Sequence, residues 1–222
     1  GRILDALEKL DLAADTLVLF TSDNGSNGRN GGSNKPLAGA KGSTMEGGMR
    51  VPMLVRWPGR IPARATCSEL ATTMDLLPTF AALAGAKLPE RKIDGRDVRP
   101  LLFAEPGARS PHEAFYYYRR RQLQAIRAGD WKWHLPLAAT HPNWTTPDTK
   151  GKGRPGKLVN LKTDLAETTD LQADNPKVMA KMKTLAAQAT ATLGNETKQG
   201  AEQRPAKTLD ASKPMTLPKP EE

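Results

Sequence analysis

An α/β fold is predicted: a partial mixed sheet flanked by helices, then a small antiparallel sheet carrying a packed helix. Three features point to it. A short apolar run, Leu17 to Phe20, ends in Thr21-Ser22-Asp23-Asn24-Gly25, and such a run reads as a strand buried on both faces of a parallel sheet. Before it, Ile3, Leu4, Leu7 and Leu10 fall on one face at helical spacing, opposite Asp5, Glu8 and Lys9. Beyond Pro106, several short strand-like segments precede a long helical pattern that opens at Pro176.

The elements follow in order from local chemistry. Val51 to Trp57 reads as a second buried strand, stopped by Pro58-Gly59. A further strand over about Glu69 to Thr73 leads to Asp75, a cap for a helix from Leu76 to Ala84 that tolerates Pro78 in its first turn and closes at Gly85. Asp94-Gly95 marks a tight turn before Val98 to Phe103. Composition shifts near Glu105-Pro106-Gly107, which places a boundary there. Ala114 to Tyr118, Gln122 to Ala128, Trp131 to Leu135 and Lys157 to Asn160 then read as strands, with Gly129-Asp130 as a turn. The last helix runs from Pro176 to about Leu193 with Val178, Met182, Leu185 and Ala189 on one side. From Gly194 on, Pro, Lys, Thr and Glu dominate, and a disordered tail is expected. Three regions result: 1–104, 105–193 and 194–222.

With 38% hydrophobic and 26% charged residues over 222 positions, the composition is that of a globular chain with a polar tail. No apolar run approaches the roughly 20 residues of a membrane helix, and a single cysteine excludes an internal disulfide framework. The net charge of +9 is uneven: 13 Lys and Arg face 11 Asp and Glu in residues 1–98, against 20 and 13 in 99–222. An anionic partner such as a sulfated glycan fits that surplus, and so does a plain solvated basic surface. Arg119-Arg120-Arg121 follows three tyrosines, but no nucleic-acid motif surrounds it, and nucleic acid is not an expected partner.

Chemistry concentrates at the end of the first strand. Asp23 and Asn24 offer two hard oxygen donors of the type that Ca²⁺ or Mg²⁺ takes, and Gly25 lets the backbone turn away. A glycine-rich stretch from Leu37 to Pro52 follows, with Lys41 between its glycines and then Glu46-Gly47-Gly48-Met49-Arg50. Taken with Trp57-Pro58-Gly59, these segments resemble the type I sulfatases of the alkaline phosphatase superfamily, and the resemblance covers most of the chain. It implies an alkaline-phosphatase-like fold and sulfate ester hydrolysis. It further implies that Asp23 and Asn24 bind the divalent ion, usually Ca²⁺ with Mg²⁺ possible, and that Lys41 contacts the sulfate. Glu46 and Arg50 match the signature in a loop-holding role. A metal and an ammonium together would stabilise the charge that develops on the nonbridging oxygens of a sulfate ester.

The family's nucleophile is a formylglycine made at the head of a Cys/Ser-x-Pro-x-Arg motif, upstream of the Asp-Asn pair. This chain has no such motif: Cys67 is followed by Ser68-Glu69-Leu70, and Ser212-Lys213-Pro214 lacks the arginine. The family's amino-terminal aspartate pair is absent as well. The chain therefore reads as the carboxyl-terminal half of a longer enzyme, inactive alone, with the formylglycine expected in the missing half. The resemblance places the parent enzyme in the periplasm or outside the cell, acting on a sulfated small molecule or glycan.

His112, His134 and His141 lack a paired carboxylate or ligand-like spacing and read as surface or loop residues. The resemblance also offers His134 an approach to the substrate pocket, since the carboxyl-terminal subdomain borders the active site in relatives. Trp131 and Trp133, at period two, share one face, either packing on a helix or stacking on a sugar. Asn143-Trp144-Thr145 and Asn195-Glu196-Thr197 are glycosylation sequons, relevant only in a eukaryotic secretory route. Two other functions compete: a phosphoryl or phosphonate ester hydrolase of the same superfamily, and a non-catalytic cationic module that binds sulfated polysaccharide.

Overall fold

Helical spacing in the first residues produces α1 (Arg2–Lys9), and a one-turn 3-10 helix, Ala13–Asp15, delivers the chain to β1 (Val18–Thr21). The computed structural model describes residues 1–29, 31–140 and 151–204. After a long excursion that includes α2 (Glu46–Met49), the chain returns as β2 (Met53–Arg56). β2 pairs with β1 in antiparallel register, Val18 opposite Arg56 and Thr21 opposite Met53.

That pairing corrects the expectation of a parallel strand buried on both faces. Among the described residues β2 is the only partner of β1. Phe20 and Leu54, opposed across the ribbon and so on one face, are 69% and 68% exposed. An apolar run signals burial but carries no information on the direction of its partner. Here the loop between the strands reverses the chain.

The strand expected over 69–73 is absent. The backbone turns instead into a 3-10 helix, Thr73–Asp75, because the Asp75 carboxylate accepts the Thr72 amide at 2.7 Å. α3 (Leu76–Ala84) follows and closes at Gly85 in the left-handed conformation, φ 64°. Asp75 holds the N-cap position of α3, yet its side chain makes no cap bond to that helix. It accepts instead from the amide of Arg96 at 2.8 Å and pairs with His112. The Val98 to Phe103 segment is helical, α4 (Arg99–Leu102), and Val98, Leu101 and Leu102 bury a small cluster onto which Val55 of β2 packs.

The second region contains the main core. β3 (Phe115–Arg119), β4 (Gln122–Ala128) and β5 (Trp131–His134) form consecutive hairpins. β6 (Leu137–Thr140) and β7 (Gly151–Arg154), not foreseen from the sequence, pair as a separate ribbon. β8 (Lys157–Asn160) then adds to β5, giving the antiparallel order β3-β4-β5-β8. Ile126, Trp133 and Leu158 lie in one cross-strand row. That row packs against Met179, Met182, Leu185 and Ala189 of α5 (Pro176–Thr192). Trp131 packs on the same cluster, and the indole of Trp133 donates to Gln172 at 3.2 Å, so both tryptophans serve the helix interface.

Residues 194–204 are tied to this core and to α3's neighbourhood. The amides of Ala201 and Glu202 donate to the carbonyls of Ala191 and Thr192, both at 2.8 Å, and Lys92 pairs with Glu202 at 2.6 Å. The rest of the expected tail lies outside the described residues.

Candidate active site

β1 ends where its backbone meets the loop leading into β2, and main-chain bonds join the two. Thr21 Oγ1 donates to the Pro52 carbonyl at 3.0 Å, and the Gly25 amide donates to the Gly48 carbonyl at 3.1 Å. A Cβ on Gly25 would lie 1.8 Å from the Gly47 carbonyl oxygen, so only glycine fits this crossing. Asn34 grips Ser26 from both sides, accepting its amide and donating to its carbonyl at 2.7 Å each. The Lys41 amide also donates to the Ser26 carbonyl, at 3.0 Å. Lys41 is thus held two residues away from Asn24 through a single hydrogen bond.

Asp23 and Lys41 are exposed and Asn24 half-buried. Asn24 Nδ2 donates to Asp23 Oδ2 at 2.5 Å, which turns the amide nitrogen toward the carboxylate and its oxygen the other way. A carboxylate and an amide oxygen are donor types that a hard-cation shell takes, six to eight oxygens in all, but the Asn24 amide must turn over for both to face one ion. They do not complete that shell: among the described residues no group of three or more His, Cys, Asp or Glu is placed to hold a metal. Two surface cavities, of about 240 and 310 Å³, are lined by Arg121 and its neighbours and by Ala82, Ile93 and theirs; neither touches Asp23, Asn24 or Lys41.

Below this surface lies a buried ionic cluster. Glu46, at the start of α2, has no exposed surface. Its Oε1 accepts from Tyr117 Oη at 2.7 Å and Lys132 Nζ at 2.9 Å, and its Oε2 faces Arg127 at 3.4 Å. Its own amide donates to Glu167 Oε1 at 2.7 Å. Glu167 Oε2 in turn meets Lys132 at 3.1 Å and His134 Nε2 at 2.5 Å. Burial pushes the Glu167 carboxyl up, but the His134 hydrogen bond, the Lys132 charge and the Glu46 amide outweigh it and bring the pKa from 4.5 to about 2. Burial likewise lowers the His134 pKa against the pull of Glu167, which favours the neutral ring with its proton on Nε2. Tyr117 is raised well above its ordinary value by burial and by the Glu46 charge.

Glu46 therefore sits where a loop-holding residue would, while Arg50 keeps its side chain in solvent and bonds the Glu46 carbonyl only through its amide, at 2.7 Å. Two of the three histidines depart from expectation. His134 is buried on Glu167, and His112 bonds Asp75 at 2.8 Å, so each has the carboxylate partner that the sequence did not reveal. His141, Ser212 and the sequon at Asn143 lie outside the described residues. Cys67 is exposed. Lys132, Glu167, Tyr117 and Arg127 were not anticipated. A usable signal existed for Lys132 and His134: if Trp131 and Trp133 face a helix, the period of two puts the intervening residues on the other face of β5.

Comparison with known proteins gives the same direction. The sulfatase family model matches residues 1–86, and the model for the C-terminal region of aryl-sulfatase matches 110–215. Mouse steryl-sulfatase is 44% identical over 165 residues, covering 70% of this chain and 26% of that protein. Human arylsulfatase A is 40% identical over 156 residues, covering 67% and 30%. The crystal structure of Ps i-CgsB in complex with k-i-k-neocarrahexaose superposes with a TM-score of 0.69 at 32% identity, over 88% of this chain and 40% of that one. The fold is thus the alkaline-phosphatase-like α/β fold of sulfatases. The chain belongs to the sulfatase family, and it spans under a third of the length of the curated relatives it matches.

Proposed function

We propose that this chain supplies one wall of a centre that hydrolyses sulfate esters, with Asp23 and Asn24 as two ligands of a Ca²⁺ ion and Lys41 as the cation that meets the sulfate. The observation that carries this reading is the stitching of the two loops at Ser26, whose carbonyl takes the Lys41 amide at 3.0 Å two residues past Asn24. An ammonium beside a pair of hard oxygen donors is a charge arrangement suited to an oxyanion bound to a cation. When bound, the ion would supply Lewis-acid stabilisation of charge on the ester oxygens. Asp23 and Asn24 orient that ion, and Lys41 neutralises the sulfate as its ester bond lengthens. Mg²⁺ is the alternative ion for the same donors.

The substrate class is a sulfated small molecule or glycan, in keeping with relatives named for steroid, aryl and N-acetylgalactosamine sulfates. A periplasmic or extracellular location goes with that reading. Among the described residues no helix is long and apolar enough to cross a membrane. Because the 222 residues hold no Cys/Ser-x-Pro-x-Arg nucleophile motif, the segment by itself is expected to release no sulfate from an aryl sulfate in the presence of Ca²⁺.

The test is NMR titration of the labelled chain with Ca²⁺ and then inorganic sulfate. Amide shifts at Asp23 to Gly25 are expected at roughly millimolar Ca²⁺ and are abolished by Asp23→Ala. Sulfate-dependent shifts around Lys41 are expected and are lost in Lys41→Ala. Ca²⁺ shifts that persist in Asp23→Ala, or sulfate shifts centred elsewhere, would refute the assignment.

A further inference from the structure

The loop bearing Lys41 has almost nothing apolar to hold it. Its buried residues are Thr44, Glu46, Gly47 and Gly48, and Thr44 and Glu46 are anchored by polar groups of the second region. Thr44 Oγ1 donates to Gln124 Oε1 at 2.9 Å, the Ala38 amide to the Leu165 carbonyl at 3.3 Å, and Glu46 is gripped twice, at its amide by Glu167 and at its carboxylate by Lys132 and Tyr117. From Glu46 the connection to the site is short. Gly47 donates to Ala38 at 2.7 Å, Gly48 accepts from Gly25 at 3.1 Å, and Gly25 adjoins Asn24.

Charge makes Lys132 the keystone of this attachment. Its ammonium has no exposed surface, lies 4.2 Å from the centre of the Tyr117 ring, and serves two buried carboxylates at once, Glu46 Oε1 at 2.9 Å and Glu167 Oε2 at 3.1 Å. Arg127 reaches Glu46 only at 3.4 Å and from a partly exposed position, and His134 brings Glu167 a hydrogen bond and no full charge in its neutral form. Without Lys132, two desolvated carboxylates would face one another with little between them, a repulsion that acts on the loop carrying Glu46.

We propose that Lys132, Glu46 and Glu167 form an electrostatic clamp through which the carboxyl-terminal sheet sets the position of Lys41 and Asn24, so that all three are positioning residues for the anion site. The inference deepens the sulfatase reading and rests on it for the word anion. It goes beyond loop holding by Glu46 alone: it puts the controlling charge on β5 and makes the placement of Lys41 depend on a lysine that touches no substrate.

The experiment is amide hydrogen exchange, read residue by residue, combined with inorganic sulfate titration in the presence of Ca²⁺. In Lys132→Met, the amides of Gly25, Lys41 and Gly47 are expected to exchange about 30-fold faster, while Ile126 and Val159 in the sheet stay within about threefold. Adding Glu46→Gln to Lys132→Met removes the opposing charge and is expected to restore about tenfold of the lost protection. Tyr117→Phe keeps every charge and is expected to change the loop amides by no more than about threefold. Sulfate affinity at Lys41 is expected to fall about tenfold in Lys132→Met and to recover in the double variant. Should Lys132→Met not fold, Glu46→Gln alone carries the test, with about tenfold faster exchange confined to the loop. The clamp is overturned if the loop amides are unmoved, if sheet amides are lost in parallel, if the double variant fares no better than the single, or if sulfate binds Lys132→Met as it binds the parent. Exchange and rescue as expected, with no sulfate response in the parent chain, would leave the clamp standing and sink the anion reading instead.

Discussion

The two regions of the molecule are held together by opposite means. Residues 115–192 bury a continuous apolar core in which Ile126 and Leu158 have no exposed surface. Among the described residues of 1–104 the large apolar side chains that are buried are the small cluster of Val98, Leu101 and Leu102, and Phe20, Leu54, Ile3 and Leu10 all stand in solvent. What fixes the first region's functional loop is a set of buried charges and main-chain bonds shared with the second. Apolar packing depends on area and shape, whereas the ionic cluster depends on protonation state and on exact partners. The candidate site is thus built on the acid-sensitive part of the structure, with the robust part as its foundation.

The widest gap between the regions is expected in their response to truncation. Ile126→Ala should cost about 2 to 5 kcal/mol through lost burial and the cavity left between Trp133 and the helix. Leu54→Ala, on the exposed face of the first ribbon, should stay within about 0.5 kcal/mol. Urea denaturation of both variants checks this, and a Leu54→Ala cost comparable to that of Ile126→Ala would show that the first ribbon face is covered in solution.

Acid should separate the regions next. Glu167 is depressed from 4.5 to about 2, so its contribution is complete above the unfolded value and is lost as pH falls from about 4.5 toward 2. His134 is lowered below 6.5, so the neutral ring's contribution is present above that value and is lost as pH falls below it. Both act in the same direction. Stability should start to decline near pH 6.5 and steepen below 4.5, with Glu167 accounting for on the order of 3 kcal/mol. Loop amides should lose exchange protection before those of β4 and β8. In Glu167→Gln the lower leg of the profile should flatten; an unchanged leg would move the acid response to another group.

How much of this was legible follows the same division. Short-range patterns located β4, β8 and α5 because a period of two or 3.6 together with Gly-Asp and Pro punctuation defines such elements locally. The Asp23-Asn24 turn and the loop around Lys41 were legible as motifs, and Gly25 as a point of tight backbone. The antiparallel return of β2 was not, since strand direction is set by a connection of some thirty residues whose path depends on Gly25, Asn34 and Gly48 meeting in space. Nor was the pairing of Glu46 with Lys132 and Glu167: partners 86 and 121 residues away leave no local periodicity. His134 read as a surface residue because its carboxylate lies 33 positions downstream, in a turn where Glu167 itself takes φ 53°.

A modest effect on stability should come with the sharpest effect on the site. Gly25→Ala would bring a Cβ to 1.8 Å from the Gly47 oxygen and 2.7 Å from its carbon, and both are backbone atoms that cannot rotate away. The loops must separate there, at a cost of about 1 to 3 kcal/mol as in overpacked cores. Gly28→Ala is the control. That glycine has a positive φ, 75°, which Gly25 does not, and nothing within 4 Å of the added carbon, so it incurs only the left-handed penalty of roughly 1 to 2 kcal/mol. The two variants should therefore melt within a few degrees of each other, yet only Gly25→Ala should erase the Ca²⁺-dependent shift at Asn24 and release the Lys41 amide. If both variants spare the site equally, contact between the two loops does not position Asn24, and its geometry must be set from within its own turn.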